Sequence, residues 1–163
     1  MTDFTEALNV KVDEIEKPPL PPQGHYVMQV GQKIVYGEAS SNKDGTQREW
    51  DTVEFSMKGV EPTQDVDPEA LENFGGASAI NLRNSFMFEK GDTPEIKAAF
   101  DRTLYQCKRF IEEHLGIDTA GMSLKEAIEQ AKGAQCIGEV KYRPDPRDPE
   151  NMFAELGRTA PLS

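Results

Sequence analysis

"TQREWDTVEFSMKG", residues 46–59, alternates strictly: Val53, Phe55 and Met57 share one side of an extended chain, while Arg48, Trp50, Thr52, Glu54 and Ser56 share the other. The first set reads as a core face. The second puts the chain's one tryptophan among polar neighbours, on the face that meets solvent. An outward tryptophan is either covered by a loop, terminus or helix, or it is a flat platform for a ligand. Its neighbours decide which.

Upstream, "GHYVMQVGQKIVYGEAS" (24–40) keeps the same period. Tyr26, Met28, Val30, Ile34 and Tyr36 fall on the core face, with the two hydroxyls at its rim; His25, Gln29 and Lys33 point outward. A bend is expected at Gly31. "SSNKDGTQ" (40–47) is a turn, so these two strands form a hairpin. Downstream, "VEPTQDVDPEALENFGGAS" (60–78) reads as a long acidic loop with a short helix at "DPEALENF". A third strand, "INLRNSFMFEKG" (80–91), turns Ile80, Leu82, Phe86 and Phe88 inward and Arg83, Ser85 and Met87 outward.

The period then changes. "TPEIKAAFDRTLYQCKRFIEEHLG" (93–116) has helical spacing, Thr93 as N-cap, Pro94 at the first helical position and Gly116 as the stop. "SLKEAIEQAKG" (123–133) is a second, shorter helix with capping-box spacing between Ser123 and Glu126. "AQCIGEVKYRP" (134–144) and "MFAELGRTAPL" (152–162) are strands joined by the turn "DPRDPEN". The expected fold is mainly β (α+β): a five-stranded OB-like barrel with one long helix between strands 3 and 4 and a second short helix. Residues 1–22, acidic and ending in "KPPLPPQG", are expected to be a flexible, proline-rich arm or an appended strand, and residues 23–163 a single domain.

Net charge is −11 over 163 residues, yet residues 1–22 carry −3 of it and residues 61–72 carry −5. The remaining chain is nearly balanced. That argues against a nonspecific basic glue but leaves room for a cationic groove. Cys107 and Cys136, without CxxC spacing, read as reduced core thiols. No cofactor, metal site, membrane span or secretory signal is expected, and a cytoplasmic location follows.

No Walker loop, GxSxG, HExxH or GxGxxG is present, so no enzyme is expected. The best catalytic candidate is the pair Glu139 and Lys141 in "GEVKYR" with Asp118 upstream, a pattern of metal-dependent nucleases; a solvated strand face is its simpler meaning. The stronger set is cationic and aromatic. A single-strand binder needs positive groups along the phosphates and aromatic faces for the bases. Trp50, with Tyr36 as a second aromatic, would stack bases, and Arg48, Lys33, Arg83, Lys141 and Arg143 would contact phosphates.

"PLPPQGHYVMQV", "REWDTVEFSMKG", "NLRNSFMF", "FIEEHLGID" and "AQCIGEVKYRPDPRDPENMFAEL", in that order, resemble the small phage-type single-stranded DNA-binding proteins with an OB-fold. The resemblance implies a non-catalytic protein that binds single-stranded DNA in replication, recombination or repair. Further candidate partners are replication or recombination proteins and a second copy of the chain. Many single-strand binders carry their acids in a C-terminal tail, whereas here they lie at the N-terminus and in the 61–72 loop, either of which would take that role. The alternatives are a phage structural or adaptor protein that binds a protein partner through the barrel and arm and, more weakly, the nuclease.

Overall fold

The structure, a computed structural model, describes residues 3–163. Five strands, β1 (Gly24–Lys43), β2 (Thr46–Pro62), β3 (Asn81–Glu89), β4 (Gln135–Asp145) and β5 (Asp148–Ala160), form one antiparallel sheet in the order β3-β2-β1-β4-β5. The helices are α1 (Phe4–Ala7), α2 (Pro68–Phe74), α3 (Pro94–Arg109), which continues as a π-helical turn (Phe110–His114), and α4 (Leu124–Gln130).

Local chemistry accounts for most boundaries. Lys43 faces Thr46 across a two-residue turn in which Asp44 and Gly45 both have positive φ, the Asp-Gly geometry that matches strand twist. Thr93 and Ser123 cap α3 and α4 by accepting from the backbone N–H of Ile96 and Glu126. Asp67 caps α2, with Pro68 at its start and Gly75 in the left-handed conformation at its end. β5 starts at Asp148, four residues before the expected Met152, because Asp145 accepts from Arg147 N–H and closes a tight Pro146–Arg147 turn.

The core lies on one side of this sheet. Tyr26, Met28 and Val30 meet Val53, Phe55 and Met57, and the π-helical turn and α4 cover them with Phe110, Ile111, Ala127 and Ile128. The rings of Phe55, Phe86 and Phe110 lie 5.2 to 5.8 Å apart, centroid to centroid. Cys107 and Cys136 are buried free thiols, raised to about 11 and about 12 respectively by burial. Val30 faces Met57 and Ile34 faces Phe55, so residues 31–33 bulge opposite Ser56 where a bend was expected. The apolar phase survives that bulge.

Two features depart from the sequence expectation. Tyr36 is not core: it is 54% exposed although Val53, opposite it on β2, and Phe86, opposite Val53 on β3, are buried, because α3 packs over β3 at this level, with Phe100 against Phe88, and leaves β1 uncovered. The sheet also stays open between its two edge strands, β3 and β5. Thr103 of α3 donates to the Met87 carbonyl of β3, and Gln106, Arg109, Phe110 and His114 line the gap between the edges. The closed barrel is therefore not formed.

The acidic 61–72 loop folds under the base of the sheet. Val66 and Leu71 are buried, and Asp65 accepts from His25 N–H at 2.9 Å and pairs with His25 Nδ1 at 2.6 Å. Among residues 3–20 only Leu20 is even half-buried, whereas Pro21 and Pro22 are buried. Tyr142 donates its hydroxyl to Pro21 O at 2.9 Å and Tyr26 donates to Pro22 O at 2.6 Å. Lys17 donates to Asn151 and to Met152 O, so this stretch runs along the β4–β5 hairpin toward its tip. Among the described residues no helix is long and apolar enough to cross a membrane.

Candidate nucleic-acid interface

Strand pairing decides which of the expected site residues share a surface. Trp50 lies opposite Ala39 on β1 and Glu89 on β3; Glu54 lies opposite Val35 and Ser85; Ser56 lies opposite Arg83. One outer face thus holds Arg48, Trp50 and Arg83 together with Val35 and Met87. Lys33 lines the groove on that face with Val35, Glu54, Ser56, Asn81 and Arg83, a depression of about 300 Å³. Tyr36 lies opposite Val53, on the core side. It stands across the sheet from Trp50, on the side that also carries Glu38 and Asp51, both paired with Lys90. Trp50 and Tyr36 do not belong to one stacking surface.

The indole of Trp50 is half-buried, and the Arg48 guanidinium carbon lies over it, 4.9 Å from the ring centroid. Arg48 is in turn gripped at two points by Glu89: Nε and Nη2 donate to Oε2 and Oε1, each at 2.8 Å. The hydrogen bond from Arg48, followed by its charge, holds the Glu89 carboxyl below its ordinary range although burial opposes this, and the same pairing raises Arg48. Glu89 is only 9% exposed. The result is a rigid stack of indole and guanidinium on the sheet face.

Lys141 and Arg143 point to the outer side of the second hairpin, where β4 pairs with β5. Both reach Glu155, Lys141 Nζ at 3.8 Å and Arg143 Nε at 3.2 Å. Directly opposite Arg143 stands Phe153, 40% exposed. Arg83 pairs with Glu54 at 3.3 Å. Of the five cations singled out in the sequence, only Lys33 has no carboxylate partner among the described residues. Glu139, half of the ExK pair, accepts from Arg158 N–H, and its Lys141 partner turns to Glu155. Among the described residues no three His, Cys, Asp or Glu side chains are grouped to hold a metal ion.

Phe153, Glu89 and Glu155 are the site residues that sequence reasoning missed. Alternation in β5, with Ala154 and Leu156 packed on the core, was enough to put Phe153 outward. The two glutamates carry no such signal, since their importance lies in the neighbouring strand. No protein-family model and no curated protein matches the chain.

Proposed function

We propose that the protein is a non-catalytic single-stranded DNA-binding protein that uses the outer face of β1–β3 and the outer side of the β4–β5 hairpin. The observation that carries this reading is the Arg48–Trp50 stack, clamped by Glu89 on an open strand face. Every base has a flat π surface, so a fixed aromatic and guanidinium stack accepts any sequence. Arg143 beside Phe153 supplies a second combination of the same kind. The strand order supports an OB-like reading as well: β3 and β5 are the two edges, and these are the strands whose pairing would close such a barrel.

Phosphates would compete with Glu89, Glu54 and Glu155 for cations already paired. Binding is accordingly moderate in strength and falls with salt, because the pairing carboxylates lower the charge gained. The acidic 61–72 loop sits at the end of β2 away from Trp50, so it does not lie over the stack. The test is a titration with oligo-dT at two salt concentrations, following the fluorescence of Trp50, the chain's one tryptophan. Quenching that weakens with salt is expected. Absence of both quenching and a mobility shift would overturn the reading in favour of a protein-binding adaptor, and Mg²⁺-dependent loss of the oligonucleotide would favour a nuclease.

A further inference from the structure

The open seam between β3 and β5 is a cleft of about 760 Å³. Of the outer-face residues only Ser85 and Met87, on the β3 edge, line it; Trp50 and the cations assigned to that face do not. Its walls are the edge strands at residues 84–87 and 157–159, and its floor comes from α3 and the π-helical turn. Two local irregularities aim side chains into it. The first is a bulge in β5: Val140 faces Leu156 and Gly138 faces Thr159, so Gly157 and Arg158 together oppose Glu139. Glu139 fixes the bulge by accepting from Arg158 N–H, and a Cβ at residue 157 would fall 2.4 Å from Glu139 Oε1. The second is the π-helical turn, which brings Phe110 and His114 to the same cleft. Wide turns of this kind recur at functional sites.

The chemistry of the lining is selective. Arg158 has no carboxylate partner among the described residues, and Arg109 meets Glu113 through Nε at 2.6 Å, leaving its terminal nitrogens to donate elsewhere. His114 is held by Thr159 Oγ1 at 2.7 Å through Nδ1, with Nε2 left for a ligand. Asn84 and Gln106 add two side-chain amides, each able to donate and accept at once. Cations together with amides and a partly apolar wall suit a ligand that has an anionic end and a flat, hydrogen-bonding end. A volume of this size holds a small organic ligand.

We infer that the β3–β5 seam is a nucleotide subsite: it takes one nucleotide of the bound strand, with its phosphate toward Arg109, Arg158 and His114 and its base toward Asn84 and Gln106. This deepens the single-strand reading and rests on it for the source of the nucleotide. The subsite supplies what the outer face lacks. The sheet face offers stacking with little free charge, whereas the seam offers an unpaired arginine and groups that read a base edge.

The experiment follows two reporters in the full chain: Trp50 fluorescence for the sheet face and the His114 imidazole resonances for the seam. The probes are oligo-dT of eight residues and thymidine 5′-monophosphate; the variants are R158A and Q106A, both at exposed positions. Oligo-dT is expected to move both reporters and the mononucleotide to move His114 alone. R158A is expected to weaken oligonucleotide binding about tenfold while Trp50 is still quenched at saturation. Quenching of Trp50 with His114 unmoved and R158A as tight as the parent chain overturns the subsite and spares the sheet-face function. A His114 shift with the mononucleotide but no Trp50 response to oligo-dT upholds the subsite and overturns the sheet-face function. Silence of both reporters overturns both.

Discussion

Two hairpins project from one sheet, and each carries an aromatic, an arginine and a glutamate on its outer side. They are not equivalent. At β1–β2 the aromatic is an indole, and one glutamate from β3 holds one arginine at two points, so the group is rigid and close to neutral. At β4–β5 the aromatic is Phe153, and a single glutamate serves both Lys141 and Arg143 at longer distances, which leaves one positive charge in excess. Stacking area is concentrated at the tip of the first hairpin, and free charge lies away from it, at Lys33 near the first hairpin's base and at the Lys141–Arg143 pair of the second. A strand crossing both would gain base contacts from one and phosphate attraction from the other.

This contrast can be broken most directly by Trp50→Ala, expected to cost about 1 to 3 kcal/mol of oligonucleotide binding, the usual value of a lost base stack. Anisotropy of a labelled oligo-dT measures it. Tyr36→Ala, across the sheet, is expected to leave that affinity unchanged, and a comparable loss there would refute the assignment of faces. Phe153→Ala should cost about 1 kcal/mol, at the low end of the same range. Equal losses at Trp50 and Phe153 would erase the difference between the hairpins.

Glu155→Gln tests the charge half of the comparison. Freeing both Lys141 and Arg143 should tighten binding at low salt and steepen the dependence of log K on log salt by about 1. Arg143→Ala should flatten it by about 1. An unchanged slope in both variants would remove the second hairpin from the path of the strand.

The smallest effect belongs to the base of the sheet. The hydrogen bonds from His25, side chain and then backbone, hold Asp65 down at about 2 against an ordinary 3.8, so its contribution to stability is present above about 4 and disappears as pH falls through about 2. Both partners are about half exposed, so the loss is under about 1 kcal/mol. Denaturant melts of Asp65→Asn should show it as a small deficit at neutral pH that vanishes near pH 2, with oligonucleotide binding unaffected. A binding defect in that variant would tie the 61–72 loop to the interface.

What was legible in the sequence is what one strand or helix records about itself. Alternation placed Trp50 outward and Phe55 inward, and Thr93, Ser123 and Gly116 marked helix ends correctly. Pairing between strands is not recorded locally. Nothing near Arg48 announces Glu89, forty-one positions away, as the residue that holds it, and nothing near Lys141 announces Glu155. Tyr36 failed for a related reason. Its phase was right, but phase names a side of the sheet, and only the position of α3 over β3 says how far across that side the core reaches. The open seam was likewise hidden, since it depends on Thr103 and Arg109 standing where two strand edges would otherwise meet.

The order β3-β2-β1-β4-β5 also bears on how the chain reaches this state. Three of its four ladders join strands consecutive in sequence, two of them through two-residue turns. The fourth, Gly24–Gln29 with Gln135–Val140, brings together residues such as Gln29 and Gln135 that are 106 positions apart. Local hairpins form quickly, and closing so long a loop costs entropy before any contact repays it. The β1–β4 ladder is thus the pairing expected to form last, which stopped-flow refolding of variants along Gly24–Gln29 would check. Among the described residues it is also the one strand pairing between an amino-terminal and a carboxy-terminal half of the sheet, extended by backbone hydrogen bonds of Val30 with Gly133 and Ala134.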